Sequence, residues 1–239
     1  MNKKHIIVIA IIVVLIIPIG FFTIKKLNSN VETNRNNFTG TETTMKNDEN
    51  VKNNENEVII EKNDKKEEVD KMYSTGKHGV NIEIKNYGTI ELELDADVAP
   101  ITVANFAKLV NEGFYNGLTF HRIIDGFMIQ GGDPLGNGTG GSDENIKGEF
   151  AVNGVKNSIS HVRGTISMAR ASDYNSASSQ FFIVHEDSTF LDGQYAGFGK
   201  VTKGIEIVDQ ICEDTKIEDG NGTVLYKNQP IIEKITMVD

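Results

Sequence analysis

The chain has little that could staple, ligate or grip an anion. Its single cysteine, Cys212, excludes an intrachain disulfide. That suits a reducing compartment, or an exported domain stable without a covalent clamp. Basic residues are outnumbered, 24 Lys and Arg against 34 Asp and Glu, for a net charge of -10. A nucleic-acid partner bound through a basic surface is therefore not expected. His121, His161 and His185 lack tight metal-ligand spacing, so no metal site is expected. Gly136 to Gly141 is followed by no Lys-Ser/Thr and belongs to no βαβ unit, so it reads as a surface loop rather than a phosphate loop. Ser158, Ser160 and Ser167 have no nucleophile-elbow context.

What is present is unevenly distributed over the 239 residues. After Asn2-Lys3-Lys4, Ile6 to Ile24 carries no charge. At about 1.5 Å per residue, a helix of that length nearly crosses a hydrocarbon core of about 30 Å. Residues 1–26 are read as a transmembrane anchor. The rival is a cleaved signal peptide, but Phe21, Phe22, Lys25 and Lys26 stand where small residues are wanted. The short basic N-terminus favours an N-inside orientation, with the rest of the chain outside the cytoplasm. Residues 27–76 are read as a polar disordered tether. Asn, Glu, Lys, Asp and Thr dominate it and aromatics are nearly absent, so it cannot bury enough apolar surface to offset its ordering entropy. Its mean reach would be about 35–40 Å. Residues 77–239 form the globular part, ample for one core.

Within that part Val80, Ile82 and Ile84 alternate with polar residues, as do Ile90, Leu92 and Leu94, with Asn86-Tyr87-Gly88 between them. This predicts a hairpin. Pro100 opens a helix through about Glu112, with Val103, Phe106, Ala107 and Val110 as its buried stripe and Gly113 as its stop. Short strands are expected around 164–169, 180–184 and 196–201, a second helix over 204–212, and a last strand over 231–238. Many short strands and two helices predict a closed β-barrel rather than a parallel α/β sheet.

The centre is Phe120 to Asp133, F-H-R-I-I-D-G-F-M-I-Q-G-G-D. Two strand-like runs flank Asp125-Gly126. One face of the pair would carry Arg122, Phe127, Met128 and Gln130. A cation, two apolar groups and an amide on one face suit a shallow apolar slot with polar hands on its rim.

This stretch resembles the core motif of the cyclophilins, the cyclosporin-type peptidyl-prolyl cis-trans isomerases. Two more blocks carry the resemblance in the same order: Gly164 to Val184, G-T-I-S-M-A-R-A-S-D-Y-N-S-A-S-S-Q-F-F-I-V, and Phe190 to Val201, F-L-D-G-Q-Y-A-G-F-G-K-V. It covers roughly Asn81 to the C-terminus. The resemblance implies an eight-stranded antiparallel barrel capped by two helices, and isomerisation of X-Pro bonds with no cofactor and no metal. It implies Arg122, Gln130 and Phe182 as catalytic residues. For substrate binding it implies His121, Phe127, Met128, Ala169, Arg170, Ala171, Gln180, Phe190, Leu191 and Tyr195. In it Phe182 faces the pocket while Phe181 faces the barrel interior.

Three departures stand out. Phe190 replaces the tryptophan of the best-known members, so an indole donor is lost and only weak cyclosporin binding is expected. Tyr195 replaces a histidine. Ala171-Ser172-Asp173-Tyr174 looks bacterial and bears on residue preference around the proline. Expected partners are proline-containing polypeptides and, through residues 1–26, a membrane; a monomer is expected. The expected role is folding of exported proteins at the cell membrane, or as an exported domain if the leader is cleaved. A proline-peptide binding module without turnover is the rival, and a surface adhesin a third.

Overall fold

A computed structural model describes residues 71–238. The expected anchor, and all of the expected tether but its last residues, lie outside the described residues. Among the described residues no helix is long and apolar enough to cross a membrane.

The alternating N-terminal runs form β1 (Lys77–Ile84) and β2 (Gly88–Asp95), paired antiparallel from Lys77↔Asp95 to Ile84↔Gly88. Their apolar residues all point inward. Asn86, at φ 67°, makes the tight return, a conformation that asparagine tolerates. Tyr73 is buried in the same core, with its ring edge-on to His78 at 4.8 Å. Packing therefore reaches back into the end of the stretch read as tether.

α1 (Pro100–Asn111) begins with proline, whose missing N–H is not needed there. It has no side-chain cap from its own flank. The cap comes from a distant loop. The buried Glu149 carboxylate accepts from Ile101 N at 3.1 Å, Thr102 N at 2.8 Å and Thr102 Oγ1 at 2.7 Å. An anion on exposed amide N–H groups also suits the positive end of the helix.

β3 (Phe120–Ile124), β4 (Met128–Gly131), β5 (Thr165–Met168), β6 (Phe181–Val184) and β7 (Gly197–Lys203) follow, then α2 (Ile205–Asp214) and β8 (Ile232–Met237). All eight strands share one sheet, in the order β3-β4-β6-β5-β7-β2-β1-β8, and every pairing is antiparallel. The sheet curls into a half-barrel rather than the fully closed barrel expected. Its ends meet at a single bridge, Thr119↔Ile231, with Gly117 N to Ile232 O at 2.8 Å and Phe120 N to Pro230 O at 3.0 Å. Pro230 has no N–H to extend that seam into a ladder.

Phe106 of α1 is the hub of the core. Its ring lies 5.1 Å from Tyr115, 5.6 Å from Phe181 and 5.3 Å from Phe198. β5 and β6 are buried on both faces. Phe181 belongs to this main core, while Phe182 packs on the other side in a smaller cluster.

Replacing Glu149 with Ala leaves the α1 amides open and removes charge-assisted bonds. Urea unfolding should register a loss of about 1.5–3 kcal/mol, with a single cooperative transition retained.

Candidate active site

The smaller cluster is built on strand alternation. β3 and β4 pair Arg122↔Gln130 and Ile124↔Met128, and β4 and β6 pair Gln130↔Phe182 and Met128↔Val184. Directly opposed residues share a face. Arg122, Gln130, Met128, Phe182 and Val184 therefore stand on one side of the sheet. Met128, Phe182, Val184 and Leu191 are its buried members, with Ile124, Phe127, Ala169 and Tyr195 partly buried against them. Gly126, at φ +73°, turns the chain between β3 and β4 and puts Phe127 at the rim. The Phe190 ring lies 5.6 Å from that of Phe127 and is 54% exposed. Tyr195 meets Phe182 edge-on at 6.0 Å.

The Arg122 guanidinium is held from two sides by neutral acceptors. Nε donates to Asn221 O at 2.9 Å, and Nη2 reaches Asn221 Oδ1 at 3.5 Å. Nη1 donates to Gln130 Oε1 at 3.3 Å. Gln130 Nε2 donates to Gln180 Oε1 at 2.9 Å, and Gln180 Nε2 donates to Gly140 O at 2.7 Å. Burial lowers the guanidinium pKa from its ordinary value, opposed by Tyr195 and Asp219. It stays charged regardless.

The glycine-rich loop that ends this relay is itself pinned. Asp133 accepts from Leu135 N, Asn137 N and Gly138 N. Burial pushes its carboxyl up, but these amides outweigh it and the pKa is lowered.

Not every expected residue joins the cluster. His121 sits where the β3 register slips and is buried, with no hydrogen-bond partner for either ring nitrogen among the described residues. Burial lowers its pKa. Arg170 turns its guanidinium onto the rings of Tyr195, Tyr174 and Phe150, at 4.6, 5.0 and 5.2 Å, and donates to Gln194 O and Ala171 O. Ala171 N donates to Ser176 Oγ and Ala169 N to Gln180 O, which leaves this segment as an edge beside the apolar cluster.

Sequence reasoning missed the support beneath Phe182. The buried His161 ring stacks on it at 6.1 Å, tilted by 20°. Its Nδ1 donates to Asp192 Oδ1 at 2.8 Å, and its Nε2 accepts from Ser167 Oγ at 2.9 Å. The carboxylate fixes a proton on Nδ1, and burial, which lowers the ring's pKa, favours the neutral form in which Nε2 accepts. Asn221 was missed as well; its only signal was the turn-rich D-G-N-G-T around it.

Residues 79–237 match the family model described as cyclophilin type peptidyl-prolyl cis-trans isomerase/CLD. The chain belongs to the cyclophilin family. Among curated relatives, this cyclophilin is 55% identical to peptidyl-prolyl cis-trans isomerase B of Bacillus subtilis over 117 residues, which are 49% of this chain and 78% of that one. It is 48% identical to a peptidyl-prolyl cis-trans isomerase of Helicobacter pylori over 135 residues, 56% of this chain and 80% of that one. A crystal structure of a Cryptosporidium parvum cyclophilin type isomerase, in the presence of the dipeptide Ala-Pro, superposes with TM-score 0.59 and 33% identity, covering 67% of this chain and 99% of that one. This cyclophilin is an enzyme of the isomerase class.

Its two buried imidazoles make stability pH-dependent. Burial lowers the pKa of both His161 and His121 below the ordinary 6.5, with Asp192 and Asp133 partly offsetting it. As pH falls the unfolded chain takes up these protons first. Urea-unfolding free energy should hold above about pH 6.5 and decline below it as pH drops through the folded values. His161→Gln should flatten that decline, whatever its effect at neutral pH.

Proposed function

We propose that this cyclophilin accelerates rotation about X-Pro bonds of exported polypeptides, from a position tethered to the outer side of the cell membrane. One observation carries the catalytic part: a charged guanidinium, bound among the described residues by neutral acceptors alone, stands over an apolar cluster. Rotation of a peptide bond faces a barrier of about 18–20 kcal/mol because resonance holds it planar. No bond breaks, so no nucleophile or metal is needed. The imide nitrogen gains a basic lone pair only as the bond twists. A fixed cation beside it therefore binds the twisted state more strongly than either planar one.

In this reading Arg122 supplies the cation. Gln130, and Gln180 behind it, orient the cation. Met128, Phe182 and Leu191 receive the proline ring, with Phe127 and Phe190 at the mouth. The backbone of Ala169, Arg170 and Ala171 offers an edge for the substrate chain. Proline-containing polypeptides fit as substrates, and the related Cryptosporidium structure, determined in the presence of Ala-Pro, supports that choice. Phe190 gives the mouth an aromatic wall without an indole donor, which supports weak cyclosporin binding at most. The uncharged run at 6–24 and the polar stretch after it support an anchor and a tether. Exported chains meet slow proline steps away from cytosolic helpers, which gives that placement a use.

Two outcomes are expected. In an X-Pro peptide assay Arg122→Ala should lower kcat/KM by about one to two orders of magnitude, the equivalent of a charge-assisted hydrogen bond of about 1.5–3 kcal/mol. An Ala variant as fast as wild type removes Arg122 from the mechanism. Protease added to intact cells should release the isomerase domain while residues 1–26 stay with the membrane. A domain protected until the cells are broken overturns the placement.

A further inference from the structure

The turn between β3 and β4 gathers a second set of side chains, outside the proline site. Asp125 in the turn, His185 after β6 and Cys212 on α2 bring a carboxylate oxygen, a ring nitrogen and a sulfur within 4.8 Å of one another. Asp125 is exposed, whereas His185 and Cys212 are largely covered. The three lie far apart in the sequence, which is why spacing along the chain gave no hint of them.

The imidazole decides the reading. Nδ1 stands 3.4 Å from Asp125 Oδ1. That is close to the separation of two donors sharing one ion at about 2.0–2.2 Å each. Nε2 lies 2.9 Å from Asp209 Oδ1, so its N–H donates outward and Nδ1 keeps its lone pair. A carboxylate holding the far N–H is the orienting partner of a metal-bound imidazole. Asp209 is steadied in turn by Arg163 Nη2 at 2.7 Å. The Nδ1 lone pair is now taken by Gly126 N–H at 2.9 Å, a neutral donor that an ion would displace.

Charge agrees with the geometry. Asp125 and Asp209 both stand against the imidazole, and Asp125 lies within 4.8 Å of the sulfur as well.

We propose that Asp125, His185 and Cys212 form a three-ligand site for a divalent transition metal of the zinc class, with Asp209 orienting the imidazole. Sulfur, imidazole nitrogen and a single carboxylate oxygen favour zinc or cobalt, whereas calcium and magnesium want oxygen alone. Three protein ligands leave a fourth position for water. On loading, the ion takes the place of the thiol proton, which passes to solvent. The ion would tie the turn that carries Arg122's strand into Phe127 to helix α2.

The test is a Co²⁺ titration of the full chain after chelator treatment. Expected are one ion per chain, a thiolate-to-cobalt charge-transfer band in the near ultraviolet, release of one proton per ion, and displacement by Zn²⁺. Cys212→Ser should abolish the band. Asp209→Asn should keep it but weaken binding about 10–100-fold. Each variant should retain one cooperative unfolding transition, which separates loss of the site from loss of the fold. Cobalt uptake without a sulfur band, a band that survives in Cys212→Ser, or no uptake at all would overturn the proposal.

Discussion

A single cation held by carbonyl oxygens is the constraint on which the rest of the site depends. Among the described residues Arg122 has no carboxylate in hydrogen-bond contact; its acceptors are the backbone and amide oxygens of Asn221 and the amide oxygen of Gln130. A carboxylate in either place would neutralise the charge it positioned. Neutral acceptors fix the guanidinium plane and leave its charge unspent. The arrangement requires the 215–224 loop on one side and the glycine-rich loop on the other. Asp133 and the Gly140 carbonyl are therefore part of the apparatus, although neither faces the apolar cluster.

The sheet makes this possible because β6 has two working faces. Phe181 locks into the aromatic hub around Phe106, and the next residue, Phe182, faces the outer cluster on the same short strand. The position of the outer cluster is thus inherited from the packing of the inner one. His161 fixes the far side of Phe182 through a face-on contact and a two-ended hydrogen bond. A buried polar chain satisfied at both ends is rigid, and an aromatic wall resting on it has little freedom to tilt.

Much of this was legible in the residues. Alternation in Val80–Ile84 and Ile90–Leu94 located β1 and β2, and Pro100 and Gly113 bracketed α1. The turn at Asp125-Gly126 was legible too, but the register was not: Phe127 adds a third loop residue, so Ile124 pairs with Met128 and Arg122 comes to stand opposite Gln130. What could not be read is what distant loops do. Nothing near α1 announces that Glu149 caps it, and nothing near Arg122 names Asn221 as its partner. The full closure expected of the sheet failed at Pro230, where a missing N–H interrupts the seam. His121, equivalent in its motif to a binding residue, is buried at the register slip between Phe120 and Arg122. Periodicity finds strands; it does not find bulges or contacts made across loops.

β1 has its other neighbour in β8, from Val80↔Met237 to Ile84↔Ile232. The first strand of the domain is thus zipped to the last, so nearly the whole domain must be available before that ladder can form. While a ribosome still sequesters β8, this ladder stays unformed, and β1 must wait with one flank bare until more than 140 residues after it have emerged.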